Sequence, residues 1–384
     1  MKFYKLFATS LNQKPWKKST NFEKLSIIVY TLGRISLLIV SCYIFICCVY
    51  LFAKACTVLA IYGYGDLIIH SIWMRNDLAA SVVGILVTII LQSNNAVVCI
   101  LISMVAGNLV TLHQANFITL GSQIGITFVN AYYSLELRKR DYFEIYYAVG
   151  IMNDVTNFLC YIVILPVEIY ASPIESTAKF ILERWRNTCP KLTTLTAITQ
   201  PFIDIWIQID DTFILPTTDS YIYHKPTKFV IHRCIHLETA EPIFCPYSHI
   251  FRYSKMSDKS IVIIIGSITL FALILSQIIM GILLHSLCDG IFSENLMIFI
   301  NKIACFKIIW FLDWIIDFFM MFIGFILYPI IEPHTLFSPK HNPYAKLNPT
   351  RAHRLYPMLL GANLGQSLGG VAAAFAVPAG VLYK

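Results

Sequence analysis

Residues 89–104 read IILQSNNAVVCILISM. Gln92, Ser93, Asn94 and Asn95 interrupt an otherwise aliphatic run. Four adjacent amide and hydroxyl side chains in such a setting are costly unless partners or a ligand satisfy them. The stretch belongs to a longer one, 78–135, that contains no Asp, Glu, Lys or Arg. A bilayer core takes roughly 20 apolar residues as one helix, so 78–135 must turn at least once. Polar and glycine residues punctuate it at 92–95, 107–108, 113–116 and 121–125. The pattern predicts a helical hairpin with its polar turn in the membrane, followed by a span broken at its glycines. Irregular backbone at that depth needs protein or a water-filled cavity around it.

The composition agrees with a membrane setting. Of 384 residues, 57% are hydrophobic and 13% charged, and the mean hydropathy is +0.67. Soluble domains run nearer a quarter charged. The fold class expected is an all-α polytopic membrane protein. The net charge of +7 is no nucleic-acid signature, because the basic residues sit at segment ends. Lys2, Lys5, Lys14, Lys17, Lys18, Lys24 and Arg34 precede or open the first apolar run, and Arg138, Lys139 and Arg140 form a second cluster. By the positive-inside rule both lie in the cytosol. No cleavable signal peptide is expected; the first run serves as a signal anchor.

Further apolar segments follow at 35–53, 145–168, 260–284 and 308–331, the last holding Asp313 and Asp317, and at 355–383. Between them, 170–259 is polar and falls outside by alternation. The organisation read from this is a cytosolic tail (1–24), a first transmembrane repeat with a re-entrant hairpin (25–170), an extracellular loop (171–259) and a second, truncated repeat (260–384). Of eleven cysteines, eight (42, 47, 48, 56, 99, 160, 288 and 305) lie in or beside apolar segments and read as small buried hydrophobes. Cys189, Cys234 and Cys245 lie in the loop, where a disulfide is expected without the pairing being fixed.

A repeat is visible. Gly121-Ser122-Gln123-Ile124-Gly125 and Gly361-Ala362-Asn363-Leu364-Gly365 share a pattern at an offset of 240 residues, which His113 and His353 also keep. Paired glycine-broken segments point to a transporter site near the midplane. Broken helix ends offer N–H groups to an anion and carbonyls to a small cation. Asn153, Asp154 and Asn157 fall on one helical face, and an ionisable residue in a span is a functional hypothesis by default. The alternatives are structural. Asn and Ser can be interhelical hydrogen-bond glue, glycines can serve close packing, Asp154 and Asn157 can be a hydrogen-bond pair, and the histidines are expected at interfaces. No nucleotide loop, hydrolase elbow or zinc spacing occurs, so neither an enzyme nor a metal site is expected.

The segment 78–135 resembles the first repeat of the type II sodium/phosphate cotransporters. That family carries Gln-Ser-Ser-Ser in a re-entrant hairpin, then Gly-Ala-Asn-Ile-Gly-Thr-Ser. GIMNDVTNFLCYIVILPVE (150–168) is similar to its next span, through Asp154, Asn157, Pro166 and Glu168, and HRLYPMLLGANLGQSLGG (353–370) to its second glycine element. The resemblance implies an inverted-repeat transporter that moves inorganic phosphate with sodium across the plasma membrane, with a cytosolic N-terminus and an apical location in a polarised epithelium. It implies phosphate binding by Gln92, Ser93, Asn94, Asn95, Asn363, Gln366 and Ser367. It implies sodium binding by Gln123, Thr127, Asn130, Asp154 and Asn157. Sodium is the coupling ion, no cofactor is implied, and the oligomeric state is open. Two family serines are Asn94 and Asn95 here, and the expected place of a second Gln-Ser motif, near Glu332, holds none. Two other readings therefore stand beside symport: a non-transporting assembly partner, or a transporter of another small anion.

Overall fold

The computed structural model describes residues 21–136, 143–186, 193–208, 244 and 248–288, with isolated helical positions at 318, 321–322, 325, 360–361, 363–365, 370 and 374. All regular structure among these residues is helical: α1 (Asn21–Ile61), α2 (Tyr64–Ile69), α3 (Ile72–Arg75), α4 (Asp77–Leu91), α5 (Asn94–Ala106), α6 (Leu112–Glu136), α7 (Phe143–Ala171), α8 (Pro173–Arg186), α9 (Thr193–Trp206) and α10 (Asp258–Cys288). Among the described residues, three stretches are long and apolar enough to cross a membrane, Ile28–Ile61, Asp154–Ala171 and Asp258–Leu283. The expectation of an all-α membrane protein is met to that extent.

The turns follow from local chemistry. Gln92 ends α4 in the left-handed region, with φ 53°, and its N–H reaches the Thr88 carbonyl at 2.7 Å. Ser93 is extended and caps α5, its Oγ accepting the Ala96 N–H at 3.3 Å. At the far end of α5, Asn108 takes φ 57° and Gly107 sits against Cys56, where a Cβ would fall 2.8 Å from the Cys56 carbonyl carbon. α6 then opens with a capping box: the Thr111 N–H donates to Gln114 Oε1 and the Gln114 N–H to Thr111 Oγ1, both at 3.2 Å. The breaks expected at 92–95 and 107–108 are thus present.

α1 and α10 run antiparallel. Arg34 donates to the Ser286 carbonyl at 3.2 Å, Ser41 to the Ser276 carbonyl at 3.2 Å, and Lys259 stands 5.1 Å from the Tyr62 ring. Buried Val49, Ala53, Cys99, Ala106 and Leu273 join α1, α5 and α10. Tyr50, Leu51, Ile203, Ile207, Ile261 and Ile265 join α1, α9 and α10. A third cluster, with Ala80, Val97, Leu101, Phe117, Ile118 and Leu165, seats α4 and α5 on α6 and α7.

Three sequence expectations change. α6 is one unbroken helix from Leu112 to Glu136, through both Gly121 and Gly125. Those glycines are packing positions instead. A Cβ at Gly121 would overlap the Ser81 carbonyl, one at Gly84 the Ile118 carbonyl, and one at Gly125 would fall 2.6 Å from Thr88 Cβ. α4 and α6 touch backbone to backbone. Second, the polar stretch from 171 begins with two helices, α8 and α9; Pro173 at the first helical position and Glu175 in the first turn favour the start of α8. Third, Cys160 is exposed on α7, whereas Cys47, Cys48, Cys56 and Cys99 are buried. Cys189, Cys234, Cys245, Asp313, Asp317 and His353 lie outside the described residues.

Gly121→Ala should lower the stability of the purified chain by about 3 kcal/mol, the upper end of core overpacking, because backbone cannot yield as a flexible side chain can. Gly33→Ala, where nothing lies within 4 Å of the added Cβ, should be neutral or stabilising by up to about 1 kcal/mol. Thermal melting of both variants in detergent checks the pair.

Candidate functional site at the Gln92–Ser93 turn

α4 and α5 are 15 and 13 residues long, about 22 and 20 Å at 1.5 Å per residue. Neither alone covers a hydrocarbon core of about 30 Å. They meet at Gln92–Ser93, so the carbonyl end of α4 and the N–H end of α5 converge there. A helix C-terminus carries partial negative charge and an N-terminus partial positive charge. One turn therefore offers an electrostatic place for a cation beside one for an anion. Gln92 is exposed, Ser93 and Asn95 are half-buried, and Asn94 is 2% exposed.

The turn is anchored to α6. The hydroxyl of buried Ser122 hydrogen-bonds Asn94 Oδ1. Ser122 lies between Gly121 and Gln123, so the polar element of 92–95 and the first glycine element meet. The role of Asn94 is sharper than expected: its carbonyl holds the turn in place. Gln123 is half-buried beside this bond, and Thr127 is buried one turn on, its hydroxyl donating to the Ile124 carbonyl at 2.8 Å. Asp154 and Asn157 are half-buried in the first half of α7, and Asn363 is half-buried in the second glycine element. The Asn130 side chain, Gln366 and Ser367 lie outside the described residues.

Residues not singled out as site candidates supply the scaffold. Ser81 Oγ and the Tyr161 hydroxyl are 2.7 Å apart, tying α4 to α7. Glu168, 1% exposed, accepts from Asn116 Nδ2 at 2.6 Å and from the N–H groups of Ile174 and Glu175 at 2.9 and 3.0 Å. It therefore caps α8 from the preceding helix while holding α6. Its sequence signal was a carboxylate at the end of an apolar run, four residues before Ser172-Pro173.

Ser122→Ala should cost about 1–3 kcal/mol by taking the donor from the buried Asn94 carbonyl, Asn94→Ala less, because the Ser122 hydroxyl still has the Thr119 carbonyl at 2.7 Å, and the double variant less than the sum. Glu168→Ala should cost about 2–3 kcal/mol, since three donors lose their acceptor. Melting curves of the four purified variants check this.

Comparison with known proteins bears on this geometry. The family described as Na+/Pi-cotransporter matches residues 44–161, which include both helices of the turn and the glycine element on α6. Over 406 residues the chain is 24% identical to sodium-dependent phosphate transport protein 2B of Bos taurus, covering 96% of this chain and 58% of that protein. Over 370 residues it is 26% identical to protein 2A of Oryctolagus cuniculus, covering 91% and 57%. Over 388 residues it is 26% identical to protein 2A of Rattus norvegicus, covering 95% and 59%. The chain thus spans less than two thirds of the length of these relatives. No solved structure matches. The chain is thus similar to the Na+/Pi-cotransporter family across the turn and its seat on α6, and to sodium-dependent phosphate transport proteins 2A and 2B over most of its length.

Proposed function

We propose that the chain carries inorganic phosphate with sodium across the plasma membrane, by alternating access around the Gln92–Ser93 turn. The observation that carries this reading is the seating of that turn on α6 through Asn94 and Ser122, within the segment that matches the cotransporter family. Gln92 and Ser93, at the N-terminal end of α5, suit an anion; Asn95 completes the set. The carbonyl end of α4, with Gln123, Thr127, Asn130, Asp154 and Asn157, suits sodium. Asn363, Gln366 and Ser367 complete the phosphate site from the second half. The lengths of α4 and α5 favour a re-entrant hairpin rather than two crossings.

A second repeat has support beyond the glycine motif. A Cβ at Gly361 would overlap the carbonyl of Met321. Met321 and Gly361 lie 240 residues after Ser81 and Gly121, which make the equivalent contact, and Gly324 lies 240 after Gly84. A Cβ at Gly370 would fall 3.0 Å from Val98 Cγ1, so the second glycine element packs near the hairpin. In this reading the two halves are inverted, 1–24 is a cytosolic tail, 171–259 faces outward with a disulfide among Cys189, Cys234 and Cys245, and the protein sorts to an apical membrane.

Radiolabelled phosphate uptake into cells expressing the chain, in sodium and in choline medium, tests this. The expected result is sodium-dependent uptake that falls about tenfold or more in Gln92→Ala, the loss of one charge-assisted hydrogen bond. Surface-expressed protein with no sodium-dependent uptake would overturn it. A second reading, transport of another small anion, is favoured by amides at 94 and 95. Under that reading another anion such as sulfate, and not phosphate, would be taken up in sodium.

A further inference from the structure

His113 stands between two carboxylates on two other elements. Its Nε2 is 3.1 Å from Asp77 Oδ1 and its Nδ1 is 2.6 Å from Glu175 Oε2. Asp77 is the first residue of α4, and therefore the base of the hairpin; Glu175 is in the first turn of α8. Neutral imidazole has one N–H donor and would set a lone pair against one of these oxygens, whereas imidazolium donates from both nitrogens. Phe117 closes one side, its ring 4.9 Å from the His113 ring in an edge-on arrangement. Asn76 caps α4 next to Asp77, accepting the Leu78 N–H at 3.0 Å.

We propose that His113 is a protonation-dependent clamp: as imidazolium it fastens the base of the α4–α5 hairpin to α8, and on losing its proton it lets them part. The clamp is independent of which solute the chain carries.

Other charged or titratable groups surround it. On α8, Lys179 Nζ lies 2.6 Å from Glu175 Oε1. On α7, both oxygens of Glu168 are engaged by Asn116 and the α8 N–H groups. Asp66 lies in α2, His70 at the α2–α3 corner and Arg75 at the end of α3, a segment held by Gln114 Nε2 on the carbonyls of Ile69 and Met74. The His113 side chain is 42% exposed at the end of α6, so its proton exchanges with solvent. Burial alone would lower its pKa, but the hydrogen bonds to Glu175 and Asp77 outweigh it and raise the pKa above the usual imidazole value. Lys179, and then His113, hold the Glu175 carboxyl below its ordinary value. A raised imidazole contributes stability that is complete below its unfolded pKa of about 6.5 and is lost as pH rises through the folded value. The lowered Glu175 keeps its contribution until the pH falls below its ordinary range. The clamp is therefore closed in mildly acid solution and opens as the pH rises above about 6.5 and through the raised folded value.

The test uses the purified full chain in detergent, from pH 5.5 to 8.5, with wild type, His113→Gln and His113→Arg. Melting midpoints are read together with hydrogen exchange, corrected for its intrinsic pH dependence, in peptides covering 72–80 and 173–180. Wild type should lose about 2–4 °C as the pH rises across the range relative to His113→Arg, with exchange rising at both peptides together. His113→Gln should show the lower midpoint and the faster exchange at every pH, without the step. His113→Arg, a permanent cation, should remove the step while keeping slow exchange. An identical pH profile in wild type and His113→Gln would overturn the clamp, as would a step in wild-type exchange at only one of the two peptides.

Discussion

The contact on which the rest depends is the backbone-to-backbone approach of α4 and α6. Gly84, Gly121 and Gly125 leave no room for a Cβ, so the two helices lie closer than side chains would allow. In a membrane this matters more than in water, because lipid tails give apolar side chains no reason to prefer each other. Association rests on tight packing and on interhelical hydrogen bonds instead. The Ser122–Asn94 bond is then made inside an assembly already drawn together by glycine.

That closeness makes a polar turn tolerable within an apolar run. Gln92 is in the left-handed region, where a non-glycine residue needs surrounding structure to hold it. Ser93 supplies one cap, Thr88 accepts the Gln92 N–H, and Asn94 is fixed from α6. The result is a turn whose backbone groups point where two helix dipoles meet, with Gln92 left exposed. A helix C-terminus and N-terminus meeting at such a junction offer partial charge of each sign, which is what the proposed symport of phosphate with sodium needs. Asn94 and Asn95 carry both donors and acceptors but are bulkier than serine. At position 94 the added reach is used, since it brings the amide carbonyl to Ser122.

Much of the core arrangement was legible along the chain. Four polar residues inside an aliphatic run marked the turn, and Gly107-Asn108 marked the next one. The continuous α6 was not legible, because glycine serves both helix breaking and close packing. The choice between these roles is made by the partner: Gly121 needs Ser81, and Gly125 needs Thr88, each far away in sequence. Thr111-x-x-Gln114 was a readable capping box that went unread behind the polar cluster at 113–116. α8 and α9 were hidden in a stretch read by its polarity alone, although Pro173 and Glu175 form a helix-start signal. Glu168 could be seen as a match to the family, but its work as the cap of α8 depends on a corner that only the fold supplies.

Accessibility of position 92 is the most direct probe of the proposal that this turn is reached from outside and shared by phosphate and sodium. The measurement is the labelling rate of Gln92→Cys by a membrane-impermeant thiol reagent added to intact cells, with the unsubstituted chain as background. Labelling from outside, slowed when phosphate and sodium are present together, is the expected result. Labelling only after the membrane is opened, or a rate indifferent to both ions, would contradict the assignment of this turn as the transport site.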